Sequence, residues 1–274
     1  MLITGAVLSL GLGLAGALAL SACTRAEGDP GTAPAPASSP APSPSPSPSS
    51  SSGPGPGSRP GSGDGPVVLE LFTSQGCSSC PPADRLLDRL ASAGVVGARS
   101  VAPLSFHVDY WNDLGWADPY SSSAWTDRQQ QYARALHDDR VYTPELVVGG
   151  AAGMVGSDAS AVTQAIQRAD HPARLPATGS WAAEAITVTA TAPADADVWV
   201  AVWETSTTTK VTRGENSGET LSSIRVVRRL ERVAAAGQKA STTVKLDPAW
   251  HSPGAVAFAQ RADRRITASA LLPR

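Results

Sequence analysis

The sequence predicts an α/β domain followed by a β-rich, sandwich-like C-terminal domain, and three observations carry that expectation. An apolar, β-prone run from Val67 to Phe72 leads through a polar turn into Cys77-Ser-Ser-Cys80 and then into leucines at helical spacing. Strand-like and helix-like stretches continue to alternate up to about residue 174. From residue 175 the pattern changes to short runs split by Pro, Gly and Asp: Ile186 to Thr191, Val198 to Trp203, Thr242 to Leu246, Val256 to Ala259 and Ile266 to Leu272. Alternation in several of these runs is the signature of an antiparallel, two-layered β module.

Taken in order, the N-terminus comes first. Leu2 to Leu20 is apolar with Gly and Ala throughout, and Leu20-Ser21-Ala22-Cys23 follows. Small residues before a cysteine are the mark of a bacterial lipobox, so residues 1–23 are expected to be a lipoprotein-type signal peptide with Cys23 as the lipidated residue. Nothing before Arg25 is basic, which departs from the usual charged start of such a signal. A plain apolar anchor is the competing reading, since about 20 apolar residues span a bilayer. Residues 24–66 are dominated by Pro, Ser, Ala and Gly, with a Ser-Pro repeat. That composition buries no core and is expected to be a disordered linker. Stiffened by proline, it would hold a domain up to on the order of 100 Å from its anchor.

The chain has 274 residues and a net charge of −2, with no concentration of Lys and Arg, which excludes nucleic acid as an expected partner. Its three cysteines divide into Cys23 and the Cys77/Cys80 pair, leaving none for another disulfide or a four-cysteine zinc site. No cofactor and no resident metal are implied. The expected setting is extracytoplasmic, on the cell membrane through a lipid anchor or secreted.

The folded region, residues 67–174 and then 175–274, opens with Val67 to Phe72, apolar on both faces and so expected to be a buried, parallel strand. Thr73-Ser74-Gln75-Gly76 is the turn. Pro81 suits a first helical turn, and Leu86, Leu87 and Leu90 share a helical face. This order places a dithiol where a helix N-terminus stabilises thiolate. Cys77 is expected to be the more exposed, attacking thiol and Cys80 the resolving one. The double proline moves the expected start of regular helix from Cys77 to near Pro81. A second strand runs from Val101 to Asp109. At its end and in the loop after it, His107, Asp109 and Trp111 are candidates for the neighbourhood of the dithiol, with a plain hydrogen-bonded strand histidine as the alternative for His107. Ser123 is the expected N-cap of a helix to about His137, with Trp125, Tyr132 and Leu136 on one side. Gly149-Gly150 with Gly153 is the expected hairpin turn, and Gly156-Ser157-Asp158 is expected to cap a last helix.

Four separated blocks carry a resemblance: ELFTSQGCSSCPPAD from Glu70 to Asp84, SFHVDYW from Ser105 to Trp111, VYTP from Val141 to Pro144, and GENSG from Gly214 to Gly218. Together they resemble a family of exported bacterial thioredoxin-like proteins of unknown function. The resemblance implies a thioredoxin-like fold for the α/β domain. It implies that Thr143-Pro144 is a cis-proline element facing the dithiol, with the backbone of Thr143 available to a bound extended peptide. It also implies that Glu70 resembles the buried acid beneath a thioredoxin active site, where it would take the resolving thiol's proton; a salt-bridged structural carboxylate is the alternative. Trp111 is a candidate substrate contact, with membership of an aromatic packing cluster as the alternative. The loop from Gly214 to Thr220, near Arg225, Arg228 and Arg229, either leans over the dithiol or binds an anion, or is an ordinary hairpin loop beside a solvated basic strand.

The function expected from these residues is thiol–disulfide exchange with a protein or small thiol/disulfide substrate, using Cys77, Cys80, Pro144 and Glu70. Two alternatives stand beside it. One is soft-metal binding, such as Cu(I), by Cys77 and Cys80 with His107. The other is a non-catalytic interaction module with a permanent Cys77–Cys80 disulfide.

Overall fold

The structure, a computed structural model, describes residues 64–274. The signal segment, Cys23 and the linker up to residue 63 lie outside the described residues. Asp64 to Pro66, assigned to the linker by composition, are part of the fold: Asp64 bridges Ala173, Gly65 N–H bonds Pro172 O, and Ser269 Oγ donates to Pro66 O.

The elements are β1 (Val67–Thr73), α1 (Pro81–Ala93), β2 (Val95–Val96), β3 (Arg99–His107), a 3₁₀ turn (Asn112–Leu114), α2 (Ser123–Leu136), β4 (Glu145–Val148), β5 (Ala152–Val155), α3 (Ala159–Arg168), β6 (Ala173–Arg174) and β7 (Ala177–Trp181). They continue as β8 (Ala185–Thr191), β9 (Ala196–Lys210), β10 (Thr220–Ala234), β11 (Lys239–Lys245), β12 (Gly254–Arg261) and β13 (Ile266–Leu272). One mixed sheet of ten strands runs in the order β5-β4-β1-β3-β10-β9-β12-β13-β6, with β2 paired to β3. A separate antiparallel sheet has the order β11-β8-β7.

This architecture corrects the fold class expected from the sequence. The chain does not form a thioredoxin-like α/β domain followed by a sandwich-like domain; it is mostly β-sheet, organised on one large mixed sheet. The cause is β10. It pairs antiparallel with β9 along nearly its whole length and parallel with β3 where Val226 meets Ser105, so strands from both halves of the chain join in one sheet. The sequence of β10, with Arg225, Arg228, Arg229 and Arg232, reads as a basic surface, and its pairing partner β3 lies more than a hundred residues earlier. Pattern within a segment does not reveal such a partner.

Both faces of the sheet are covered. On one face Leu69 and Leu71 of β1 meet Ala83, Leu86, Leu87 and Leu90 of α1 and Val162 and Ile166 of α3. Further along that face, Val198, Val200 and Val202 of β9 meet Ile186, Val188 and Val244 of the three-stranded sheet. On the opposite face Val68, Phe72, Leu104, Phe106 and Phe258 pack against Trp125 and Tyr132 of α2. Phe72 stacks on Phe106, and Trp125 meets Phe106 edge-on. Side chains alternate across a strand, so Glu70 shares the α2 face while Thr73 and its partner His107 share the α1 face.

Helix ends follow the local chemistry. Ser122, one residue earlier than expected, caps α2 by accepting Ala124 N–H. Asp158 caps α3 by accepting Ser160 and Ala161 N–H. The β4–β5 hairpin turns at Gly149 and Gly150, both at positive φ, and a Cβ at Gly150 would collide with the Arg264 carbonyl.

Candidate functional site

The site begins where β1 ends. All seven residues of β1 are buried and the strand is paired on both sides, by β3 and β4, so it delivers Thr73 and the following turn to a fixed place at its C-terminal end. Ser74 Oγ accepts Gly76 N–H at 3.0 Å, and Cys77 N–H bonds Ser74 O. Gly76 has no room for a side chain without displacing Trp111, whose Cβ would lie 3.2 Å away. Cys77 and Cys80 are joined by a disulfide across a Cα–Cα distance of 5.4 Å. Regular helix starts at Pro81, with Cys80 as the N-cap residue, so the helix N-terminus lies at Cys80 rather than at Cys77.

Three distant segments close around this turn. From the loop after β3, Asp118 Oδ2 accepts Gln75 N–H at 2.7 Å, and Trp111 Nε1 donates to Thr143 Oγ1 at 2.8 Å. From the segment before β4, Thr143 O accepts Ser79 Oγ at 3.5 Å, while Ser79 Oγ lies 3.3 Å from Cys77 Sγ. The Thr143–Pro144 bond is cis. From the tip of the β9–β10 hairpin, Asn216 Nδ2 donates to both Gln75 O and Cys77 O, at 2.9 and 3.0 Å, and Glu215 Oε2 accepts Ser78 N–H at 3.0 Å. That contact holds the Glu215 carboxyl below its ordinary pKa. Gly115 and Gly214 let the two loops meet: a Cβ at Gly115 would sit 3.1 Å from Gly214 Cα.

The result is a covered dithiol. Both cysteines are 0% exposed, while Ser78 and Ser79 between them face solvent. The expectation that Cys77 is the exposed thiol is therefore corrected: Asn216, buried at 7% exposure, lies over the turn that carries it.

Thr143, Pro144, Trp111, Cys77 and Cys80 come together here. Glu70 does not join them. It lies on the α2 face in a bidentate pair with Arg128, Nε to Oε2 at 2.5 Å and Nη2 to Oε1 at 2.9 Å, and receives the Tyr132 hydroxyl. Gln260 completes this group by donating to Tyr132 Oη at 2.8 Å.

His107 takes the hydrogen-bonded form on the α1 face. Its Nδ1 is 2.7 Å from Asp118 Oδ2, and the ring is 1% exposed. Burial pulls its pKa down, but Asp118 outweighs that and the net direction is up. Asp118 is displaced down: burial opposes this, and His107 overcomes it. Asp84, one helical turn after Cys80, has its pKa pushed up to about 6 by burial, against the pull of His107. Among the described residues, no group of three or more His, Cys, Asp and Glu side chains is arranged to hold a metal ion.

Sequence reasoning missed Asp84, Asp118 and Ser79 as site residues; it offered the Gly214–Thr220 loop as one leaning over the dithiol without singling out Glu215 and Asn216, which make that contact. Asp84 closes the first block and Glu215-Asn216 lie inside the fourth, so the motif boundaries held a signal. Asp118 sits in an ordinary loop sequence, with none.

The model of the family described as "Protein of unknown function (DUF1223)" matches residues 68–260, and the chain belongs to that family. It is similar to a solved protein of Agrobacterium tumefaciens at 30% identity, covering 75% of this chain and 93% of that one with a TM-score of 0.57. HBP35 of Porphyromonas gingivalis is similar at 13% identity, covering 76% of this chain and 74% of that one with a TM-score of 0.51, a likeness of fold alone. No curated protein is significantly similar to the chain.

Proposed function

We propose that this protein is an extracytoplasmic thiol–disulfide oxidoreductase that exchanges electrons with a protein or small-thiol substrate through Cys77 and Cys80. The observation that supports this most is the convergence of Trp111, Asp118, Thr143, Glu215 and Asn216, drawn from three distant segments, on one two-cysteine turn. A disulfide between residues three apart closes a very short loop and adds little chain-entropy stabilisation. So much surrounding structure fits a pair whose chemistry is used. The helix N-terminus favours thiolate at Cys80 when the bond opens. Attack on Cys77 requires the hairpin tip carrying Glu215 and Asn216 to move aside. The lipobox-like Leu20-Ser21-Ala22-Cys23 supports placement outside the cytoplasm on a lipid anchor.

One observation favours a second reading. Full burial of both sulfurs suits a permanent disulfide in an interaction module. Reduction potential separates the two: a value below about −300 mV supports the permanent bond, and a higher one supports a cycling pair. In the wild-type protein, insulin-disulfide reduction coupled to a thiol donor is expected, and Cys77→Ser is expected to abolish it. Wild-type protein inert towards both thiols and disulfides would overturn the oxidoreductase reading.

A further inference from the structure

Beneath the dithiol, on the α1 face, lies a polar island that the exchange reaction as described does not use. Thr73 Oγ1, Asp84 Oδ1 and His107 Nε2 are buried atoms without a well-formed hydrogen bond, the Thr73 hydroxyl lying against the Asp84 carboxyl. Buried polar atoms without partners are costly and uncommon in native proteins. Three of them, on the strand ends and the helix that flank the dithiol turn, call for a role. Asp84 stands four residues after Cys80, and its N–H bonds Cys80 O. Residues at i and i+4 stack on one helical face, and helical side chains lean towards the N-terminus. The Asp84 carboxyl is therefore aimed at the Cys80 end of the helix, against a sheet face that presents Thr73 and His107.

Burial creates the need. With both sulfurs 0% exposed, a proton leaving or reaching Cys80 has no direct path to bulk water. We propose, building on the oxidoreductase reading, that Asp84 is the proton carrier of Cys80, with His107, itself held by Asp118, as the group that steadies its carboxylate.

The step balances as follows. A substrate thiolate attacks Cys77 Sγ; the new S–S bond forms, the Cys77–Cys80 bond breaks, and its electron pair leaves on Cys80 Sγ. The protonated Asp84 carboxyl gives its proton to that sulfur and becomes a carboxylate facing His107. A second substrate thiolate attacks the substrate sulfur of the mixed disulfide and expels Cys77 as thiolate. The substrate leaves as a disulfide, oxidised by two electrons, the protein pair is reduced by two, and Asp84 regains a proton from water. Oxidation of a substrate-reduced pair runs the same steps backwards, with Asp84 accepting the proton of Cys80.

The charged groups facing Asp84 are His107 from β3, Asp118 from the following loop and Arg85 from its own helix; Arg228 of β10 acts on His107, with Tyr120 between them. Burial places the carboxyl's titration near pH 6, within reach of a working proton donor and acceptor.

The test follows opening of the disulfide by dithiothreitol in stopped flow from pH 5 to 8, read by tryptophan fluorescence, in wild type, Asp84→Asn and Asp84→Glu. Wild type is expected to show an inflection near pH 6. Asp84→Asn is expected to lose it and to open about 10-fold or more slowly, with Asp84→Glu restoring part of both. Asp84→Asn with the wild-type rate and profile overturns this inference and leaves the oxidoreductase reading standing. A wild-type disulfide that resists dithiothreitol and does not exchange with insulin removes both. Should Asp84→Asn not fold, the infrared difference between oxidised and reduced wild-type protein decides: a buried-carboxyl band that changes on reduction supports the carrier, and its absence overturns it.

Discussion

Two carboxylates on opposite faces of the same sheet, Glu70 fully buried and Asp84 half-buried, have opposite surroundings. Glu70, under α2, has both oxygens bound by Arg128 and one also by Tyr132, with Gln260 closing the group. Asp84, on α1, has an oxygen without a well-formed hydrogen bond and meets only the Thr73 hydroxyl and His107, with no bidentate cation on it. A fully satisfied buried group fixes structure. One held short of partners has free energy to release when its charge state changes. The difference teaches which acid to associate with the dithiol: position near a motif in sequence suggested Glu70, and hydrogen-bond accounting points to Asp84.

The contrast has a large consequence for stability. Glu70→Gln leaves the Arg128 guanidinium buried without its counter-charge, at 5% exposure. The expected loss is about 3 to 5 kcal/mol, measured by urea unfolding, with the dithiothreitol opening rate unchanged. A Glu70→Gln protein as stable as wild type would erase the distinction between the two acids.

Asp84→Asn is expected to act in the opposite direction. The folded-state pKa near 6 lies above the ordinary 3.8, so the folded protein holds the proton more tightly than the unfolded chain. That stability is complete below pH 3.8 and is lost as pH rises through 6. Removing the acid gains up to about 3 kcal/mol at pH 8 and flattens the profile between pH 4 and 6. Paired urea titrations at pH 4 and pH 8 measure it. An Asn variant that keeps the wild-type pH slope would show that Asp84 is not the group responsible.

The hairpin tip provides the smaller effects. Asn216→Ala deletes two hydrogen bonds to buried carbonyls and is expected to cost about 1 to 2 kcal/mol. Dithiothreitol should then open the disulfide several-fold faster, because the cover is loosened. A slower opening would mean that Asn216 positions the pair instead of shielding it. Glu215→Gln, at an exposed contact, is expected to change the same rate by about twofold or less.

Local chemistry was legible in the sequence and long-range pairing was not. The strand at Val67, the helix after the dithiol and the late helix start forced by Pro81-Pro82 all follow from a few adjacent residues, while the place of Thr143–Pro144 beside the dithiol came from the family resemblance. The sheet order does not. Glu145 to Val148 reads as a strand, but nothing in it says that it pairs with β1; Arg225 to Arg232 reads as a basic surface, yet β10 joins β3 to β9. Asp84 was hidden for a related reason. Its residue type is ordinary for a first helical turn, and only the burial supplied by β1, β3 and the 118 loop turns it into an unusual acid.

The cover over the dithiol also fixes an order of events in time. The amide of Asn216 that closes on Cys77 is 139 residues further along the chain. A polypeptide made or exported N-terminus first brings out both thiols well before the hairpin that shields them exists. The two sulfurs are open to any oxidant during that interval and closed once β9 and β10 have paired. Whatever bond they form then is sealed in by the last third of the molecule.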